Sequence, residues 1–278
     1  MVFSSYAKIN LSLSVNLKRK NKLHEIQSFF CLINLADKIK LTKIKGKKDK
    51  FFFKGPFAQL INKKNNTITK LFSLLRNLRL ITDYYSVTVD KKIPVFGGLG
   101  GGTGNAAFIL QHIFKNKIKK DLLNKVENLI GSDLRLFFYK KGFLKNLNSI
   151  INIENNQKLF FVLIKPNIKC STKDIYSRVR SFSKKETLIK NKINTKNKFI
   201  NLLSKSKNDL QSVVEKKYPS IKKLLLDIKR QKGCCFSRIS GSGSVCYGLY
   251  KDEIVAKKAL NKLKIKYPNF WLSLAKTV

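Results

Sequence analysis

Between residues 94 and 107 the chain reads Pro94-Val95-Phe96-Gly97-Gly98-Leu99-Gly100-Gly101-Gly102-Thr103-Gly104-Asn105-Ala106-Ala107, and six of the protein's 14 glycines fall inside this stretch. Glycine at that density is costly in backbone entropy. It suits positions with unusual dihedrals or close approach of the backbone to a ligand. The apolar run that follows (Ala106, Ala107, Ile109, Leu110, Ile113, Phe114) has helical spacing. A glycine loop emptying into a helix N-terminus presents unpaired N–H groups and the positive end of the helix dipole, which suits a phosphate. Neither common phosphate-loop pattern is present. No lysine separates Gly102 from Thr103, and Thr103 and Asn105 stand where Gly-x-Gly-x-x-Gly needs its last glycine. The competing reading is a flexible linker, but a linker would be richer in serine and would not run into an apolar helix.

A chain of 278 residues with 43% hydrophobic content has room for one large or two medium domains with a real core. Its longest clean apolar run, Leu159 to Ile164, has the length of a buried strand and is far too short to span a membrane. No secretory leader pattern is visible, so the expected compartment is the cytoplasm. Five cysteines (Cys31, Cys170, Cys234, Cys235, Cys246) form an odd set without Cys-x-x-Cys spacing, which reads as buried thiols and not as zinc ligands or disulfides. The formal net charge of +42 suggests a nucleic-acid binder. However, lysine is spread over almost every segment, with abundant Asn, Ile and Phe, which is the signature of AT-rich codons.

Along the chain, residues 3–17 alternate as a strand, with Ile9, Leu11, Leu13 and Val15 on one face and Lys8 and Asn10 on the other. Strands are expected over 24–35 and 37–45, a helix over 67–80, and a strand over 84–89 that feeds the glycine loop. A helix over 120–130 closes at Gly131-Ser132. Asp133 follows at once and reads either as a cap or turn residue or as a catalytic carboxylate. The second half reads as strand 159–164, a helix from Thr172, and a polar stretch over 183–207 of loop and short helices. Helices follow over 208–216 and 219–231. Strands over 234–239 and 245–250 flank Ser240-Gly241-Ser242-Gly243-Ser244, and a helix over 252–263 and a strand over 270–274 end the chain. That order is ferredoxin-like.

Three separated segments, Tyr6-Ala7-Lys8-Ile9-Asn10-Leu11, Gly97 to Ala107, and Ile239 to Ser244, resemble in order and spacing the three signature motifs of the GHMP small-molecule kinases. The triple glycine ending in Asn105-Ala106-Ala107, together with Gly131-Ser132-Asp133-Leu134, looks most like the ATP-dependent kinases of non-mevalonate isoprenoid synthesis. Those act on a cytidine-diphosphate derivative of methylerythritol. The resemblance runs from about Ser4 to the C-terminus. It implies an α+β, two-domain GHMP kinase fold. Residues 1–150 would form an ATP-binding domain like domain 2 of ribosomal protein S5, and residues 151–278 a ferredoxin-like C-terminal domain.

The resemblance also implies roles. Pro94, Val95, Phe96, Gly97, Gly98, Leu99, Gly100, Gly101, Gly102, Thr103 and Gly104 would wrap the ATP phosphates with backbone amides. Mg²⁺ would arrive mainly on the ATP, without a metal site of the protein's own. Lys8 and Asp133 match the catalytic pair: transfer to a tertiary alcohol needs a carboxylate to take the hydroxyl proton and a positive group to orient the alcohol. Asn10, His24, Thr172, Tyr176, Gly241 and Gly243 would bind the substrate, with His24 reading the cytosine edge and Tyr176 stacking on the base. The alternatives for these two are a strand histidine without a ligand and a core tyrosine. His112, inside the loop helix, reads as structural. The sequence departs from the family pattern at Leu23 (an aromatic in the family), Phe96 (glycine), Thr103-Gly104 (two serines) and Arg135 (proline). Two further functions compete: a GHMP-type kinase of another small alcohol (mevalonate-like, homoserine or sugar), and a nucleic-acid binder on a kinase-like scaffold. The first reading calls for a monomer or weak homodimer with no specific nucleic-acid or membrane partner.

Overall fold

The first apolar alternation holds as a strand only to Asn10. The computed structural model describes residues 1–18, 24–154, 157–187 and 193–278, and in it β1 is Val2–Asn10 and β2 is Ser14–Lys18. The single strand expected over 3–17 is therefore two. Leu11 N and Ser12 N both donate to Phe29 O, at 2.6 and 3.3 Å, and Ser12 Oγ accepts from Phe29 N. Two successive donors on one carbonyl interrupt a regular ladder. Conversely, the strands expected over 24–35 and 37–45 are one, β3, His24–Ile44. Burial is continuous from Glu25 to Ile33, and from Asp37 it alternates, with Asp37, Ile39 and Leu41 inward.

The short β4 (Lys50–Lys54) has no counterpart in the sequence reading. Helix α1 (Thr67–Asn77) starts at Asn66, whose side chain accepts from Ile68 N and Thr69 N while Thr69 Oγ1 accepts from Asn66 N. Ile68, Leu71, Phe72 and Leu75 make its buried stripe. It stops three residues before the expected 80, and Arg79 just beyond takes a left-handed φ of 53°. Then come β5 (Tyr84–Asp90), α2 (Gly101–Ile113), α3 (Lys120–Ile130), a 3-10 turn (Leu134–Phe138), β6 (Lys141–Asn146) and β7 (Ser149–Asn152). The remainder is β8 (Phe160–Lys165), α4 (Thr172–Ser177), α5 (Lys196–Lys205), α6 (Asp209–Lys217), α7 (Pro219–Lys229), β9 (Cys234–Ile239), β10 (Cys246–Tyr250), α8 (Glu253–Lys266) and β11 (Trp271–Lys276).

Two compact units divide the chain. One comprises Met1–Lys8, Leu35–Val95 and Gly100–Tyr139; the other comprises Ile9–Asn34, Phe96–Leu99 and Lys140–Val278. The units interleave along the sequence, and β1 and β3 pass from one into the other, whereas the division at residue 150 is a single cut by motif. In the first unit, β5 pairs antiparallel with the second half of β3 (Lys38↔Asp90 to Ile44↔Tyr84) and parallel with β4. α1 packs against α2 and α3.

In the second unit, β8 to β11 form an antiparallel sheet in the order β11-β8-β10-β9. Numbered by chain position this is 4-1-3-2, the ferredoxin-like order expected from the sequence. β8 reads as an apolar run because Phe161 to Ile164 are all buried, with α8 packed against β8 and β11 and α7 against β9 and β10. The first half of β3 pairs with β2 and β6, and β6 with β7.

Candidate active site

Residues 91–100 carry the chain from β5 to α2, and three of them take left-handed backbone: Phe96 (φ 54°), Gly98 (φ 72°) and Gly100 (φ 67°). Phe96 holds this strained conformation with its side chain 53% exposed. Gly100 is the N-cap of α2, and a Cβ there would lie 2.8 Å from Phe137 Cζ and 3.2 Å from Lys8 Cε. Only glycine satisfies both the dihedral and the space. Gly101, Gly102 and Thr103 form the first turn, whose N–H groups have no carbonyl four residues back within the helix, and Gly104 N donates to Gly100 O at 2.7 Å. Thr103 is half-buried there, while Pro94 and Leu99 bury their side chains and so offer only backbone.

Lys8, near the end of β1, lies beneath this turn. Its Nζ is 3.0 Å from Asp133 Oδ2; the lysine is 3% exposed and the aspartate 34%. Asp133 precedes the 3-10 turn, yet its side chain makes no capping hydrogen bond, so the cap reading fails and the carboxylate points to the lysine instead. Arg135, the residue standing for a proline, binds α3: Nε reaches Glu127 Oε2 at 2.6 Å and its Nη2 donates to Asn124 Oδ1. Burial pushes the Glu127 carboxyl above its ordinary range against the pull of Arg135. Gly104 has no room for the serine of the family pattern, since a Cβ would lie 2.8 Å from Phe137 Cε1.

The other candidates gather in the second unit. The glycine loop and the Ser240–Ser244 segment, far apart in sequence, meet there: Ser240 Oγ donates to Gly98 O at 3.0 Å, Ser244 N to Phe96 O at 3.3 Å and Val245 N to Gly97 O at 3.2 Å. A Cβ on Gly98 would fall 2.0 Å from Ser240 O. Gly241 and Gly243 are left-handed (φ 56° and 81°), and Asn208 Nδ2 donates to Gly241 O at 2.8 Å. Thr172 Oγ1 and Ser242 Oγ are 3.0 Å apart. Asn10 joins the same cluster: its N donates to Ser240 Oγ at 3.3 Å and its Nδ2 to Ser28 Oγ at 2.9 Å.

The rings of His24 and Tyr176, remote in sequence, have centroids 5.0 Å apart and planes 36° apart. Burial, and then the charge of Lys18 across the β2–β3 ladder, lowers the His24 pKa, leaving a neutral imidazole at neutral pH. Leu23 lies outside the described residues. His112 stacks on Phe3 at 3.6 Å and its Nδ1 lies 2.7 Å from Phe108 O, in keeping with a structural place. Among the described residues no group of three or more His, Cys, Asp or Glu could hold a metal ion. All five cysteines are free, and burial pushes Cys31 up to about 12 and Cys170 and Cys234 up to about 11, so these thiols stay protonated. Missing from the sequence reading were Ser240 as a partner of the glycine loop and a buried pair, Asp37–Lys91, next to it. The available signal for the pair was an acid on the same apolar stripe as Ile39 and Leu41.

Residues 185–269 match the family description of GHMP kinases, C-terminal. The chain is 37% identical to the 4-diphosphocytidyl-2-C-methyl-D-erythritol kinase of Pelagibacter ubique (strain HTCC1062), over 99% of this chain and 98% of that protein. It is 30% identical to the protein of the same name from Wolbachia sp. subsp. Brugia malayi (strain TRS), over 98% and 96%. Among solved structures it is similar to a 4-(cytidine 5'-diphospho)-2C-methyl-D-erythritol kinase, with a TM-score of 0.75 and 22% identity over 99% of each chain. It is also similar to homoserine kinase from Cytophaga hutchinsonii ATCC 33406, with a TM-score of 0.68 and 17% identity over 100% of this chain and 93% of that one. At those two identities the likeness concerns the fold. Identity of 37% along the whole length is a stronger relation, and on that ground the chain belongs to the 4-diphosphocytidyl-2-C-methyl-D-erythritol kinase family of GHMP kinases.

Proposed function

We propose that this protein transfers the γ-phosphoryl group of ATP to the 2-hydroxyl of 4-diphosphocytidyl-2-C-methyl-D-erythritol, a step of non-mevalonate isoprenoid synthesis. The observation that carries the reading is the Lys8–Asp133 pair at 3.0 Å, with its lysine stem against Gly100 at the head of α2. Asp133 takes the proton of the substrate hydroxyl as the hydroxyl oxygen bonds the γ-phosphorus and the bond from that phosphorus to the β,γ-bridging oxygen breaks, releasing ADP. The Lys8 ammonium orients that hydroxyl and offsets charge on the transferring group. The first turn of α2 holds the phosphates through Gly101, Gly102 and Thr103 N–H. Mg²⁺ would arrive on the ATP and offset phosphate charge, with the Thr103 hydroxyl as the oxygen of the chain that would suit it.

His24 and Tyr176 take the cytosine, one by its edge and the other by its face. That pairing supports the cytidine substrate over the other small alcohols. Asn10, Thr172, Gly241 and Gly243 line the remainder of the substrate. Residues 1–150 and 151–278 are the ATP-binding and C-terminal domains of this reading. The enzyme works in the cytoplasm as a monomer or weak homodimer. Spread over the chain, the lysines do not support a nucleic-acid partner. The test is ADP release from Mg-ATP with the intact cytidine compound and with methylerythritol phosphate lacking the cytidine. Release with the intact compound alone is expected; equal release with both would remove the base-reading role of His24 and Tyr176.

A further inference from the structure

A carboxylate, an ammonium and an amide are buried together beside the glycine loop: Asp37 is 0% exposed, Lys91 2% and Asn105 2%. They come from the middle of β3, the residue after β5 and the second turn of α2. Asp37 Oδ2 accepts from Lys91 Nζ at 2.5 Å and from Asn105 Nδ2 at 3.0 Å. Its Oδ1 accepts from Lys92 N and Ile93 N, both at 2.8 Å. Lys92 and Ile93 lead into the loop and Asn105 follows it, so both ends of residues 94–104 hang on one carboxylate.

The first turn of α2 lies directly on this cluster. A Cβ at Gly101 would sit 2.8 Å from Lys91 Nζ and 2.9 Å from Ile93 Cγ2. The backbone of Lys91 is itself anchored, its N donating to Lys54 O at 2.7 Å and its O accepting from Phe57 N at 3.4 Å. Asn105 Oδ1 is buried without a hydrogen-bond partner, so what ties this amide into the polar cluster is its Nδ2.

Buried ion pairs are weak evidence for stability, because apolar groups of the same shape often do as well. What such a pair supplies well is a defined geometry. A loop made largely of glycine has few side chains with which to hold its own shape, and a loop already in its bound shape loses less freedom when a ligand arrives. We infer that Asp37, Lys91 and Asn105 are positioning residues that hold the glycine loop in its nucleotide-binding shape, acting on ATP affinity without contacting the reacting atoms. This rests on the reading that the loop holds the ATP phosphates.

The test uses the full-length protein and measures binding of Mg²⁺ with β,γ-imido-ATP by calorimetry, together with kcat and both KM values. In Asp37→Asn, an amide NH₂ faces Lys91 and Asn105 where an acceptor stood, and KM for ATP and the dissociation constant for imido-ATP should rise roughly tenfold or more, the scale of one charge-assisted hydrogen bond. kcat and KM for the cytidine substrate should stay within about threefold. Asn105→Asp in the Asp37→Asn background returns a carboxylate to the cluster and should recover most of the ATP affinity. Asn105→Ala, a milder change, should weaken ATP selectively in the same way even if Asp37→Asn fails to fold. Unchanged ATP affinity in folded Asn105→Ala, or a parallel loss of affinity for both substrates, would overturn the inference. Wild-type protein that binds no imido-ATP would instead overturn the reading of the loop itself, and the inference with it.

Discussion

The ring of Phe137 lies against both Gly100 and Gly104, so a Cβ at either position would come within 2.8 Å of it. Restoring a serine at 104 therefore adds volume to a filled space. Helix propensity alone would favour serine over glycine by about 0.5 kcal/mol. Overpacking costs about 1–3 kcal/mol and wins. Gly104→Ser should lower the urea midpoint, and adding Phe137→Leu should recover it; a midpoint that rises in the single variant would mean that the ring yields freely. At the Lys8–Asp133 pair, Asp133→Asn keeps the shape but removes the proposed proton acceptor. Transfer should fall by roughly 10²–10⁴ with imido-ATP affinity unchanged. Near-normal turnover in that variant would refute the base role. Lys8 and Asp133 were both legible as a pair by motif. The Phe137 contact was not, because nothing local to Gly104 says which ring will lie above it.

At the scale of elements, helices were read more accurately than strands. α3 has the limits expected from its periodicity, Lys120–Ile130. α1 ends early because the turn beyond it is claimed by other bonds: the Arg76 guanidinium takes Asp49 and the carbonyls of Ile81, Thr82 and Asp83. The start of α1 also meets the glycine loop, since Thr67 Oγ1 donates to Gly102 O at 2.7 Å. Asn66→Ala removes the acceptor for Ile68 N and Thr69 N and should cost about 1 kcal/mol, typical of an N-cap. Urea titration would show it, and no loss would mean that water replaces the cap. β4, β6 and β7 went unread because each is short, and β4 and β6 pair with strands distant in the chain, as Phe51↔Val87 and Phe29↔Phe143 show. Helix periodicity is local, whereas strand pairing is settled by what lies alongside.

Over the whole molecule, 58 basic residues face 16 acidic ones, and the resulting charge of +42 repels itself. Raising NaCl from about 0.01 to about 0.1 M shortens the screening length from about 30 to about 10 Å. The melting temperature should rise by several degrees, at roughly 2–4 °C per kcal/mol of repulsion relieved. A flat or falling melting temperature would show that surface ion pairs already balance the charge. None of the described helices is long and apolar enough to cross a membrane. Lys8 and Asp133 were paired only through the family resemblance; by itself the sequence determined the glycine loop, the apolar periods of most helices and the ferredoxin-like element order. These depend on residue type and spacing within short windows. Tertiary structure alone decided that Gly98 meets Ser240, that Phe137 closes over Gly104, and that Asp37 and Lys91 are buried together beside the loop. Contacts between residues dozens to hundreds of positions apart depend on chain packing, and no local pattern encodes which side chains will share a space.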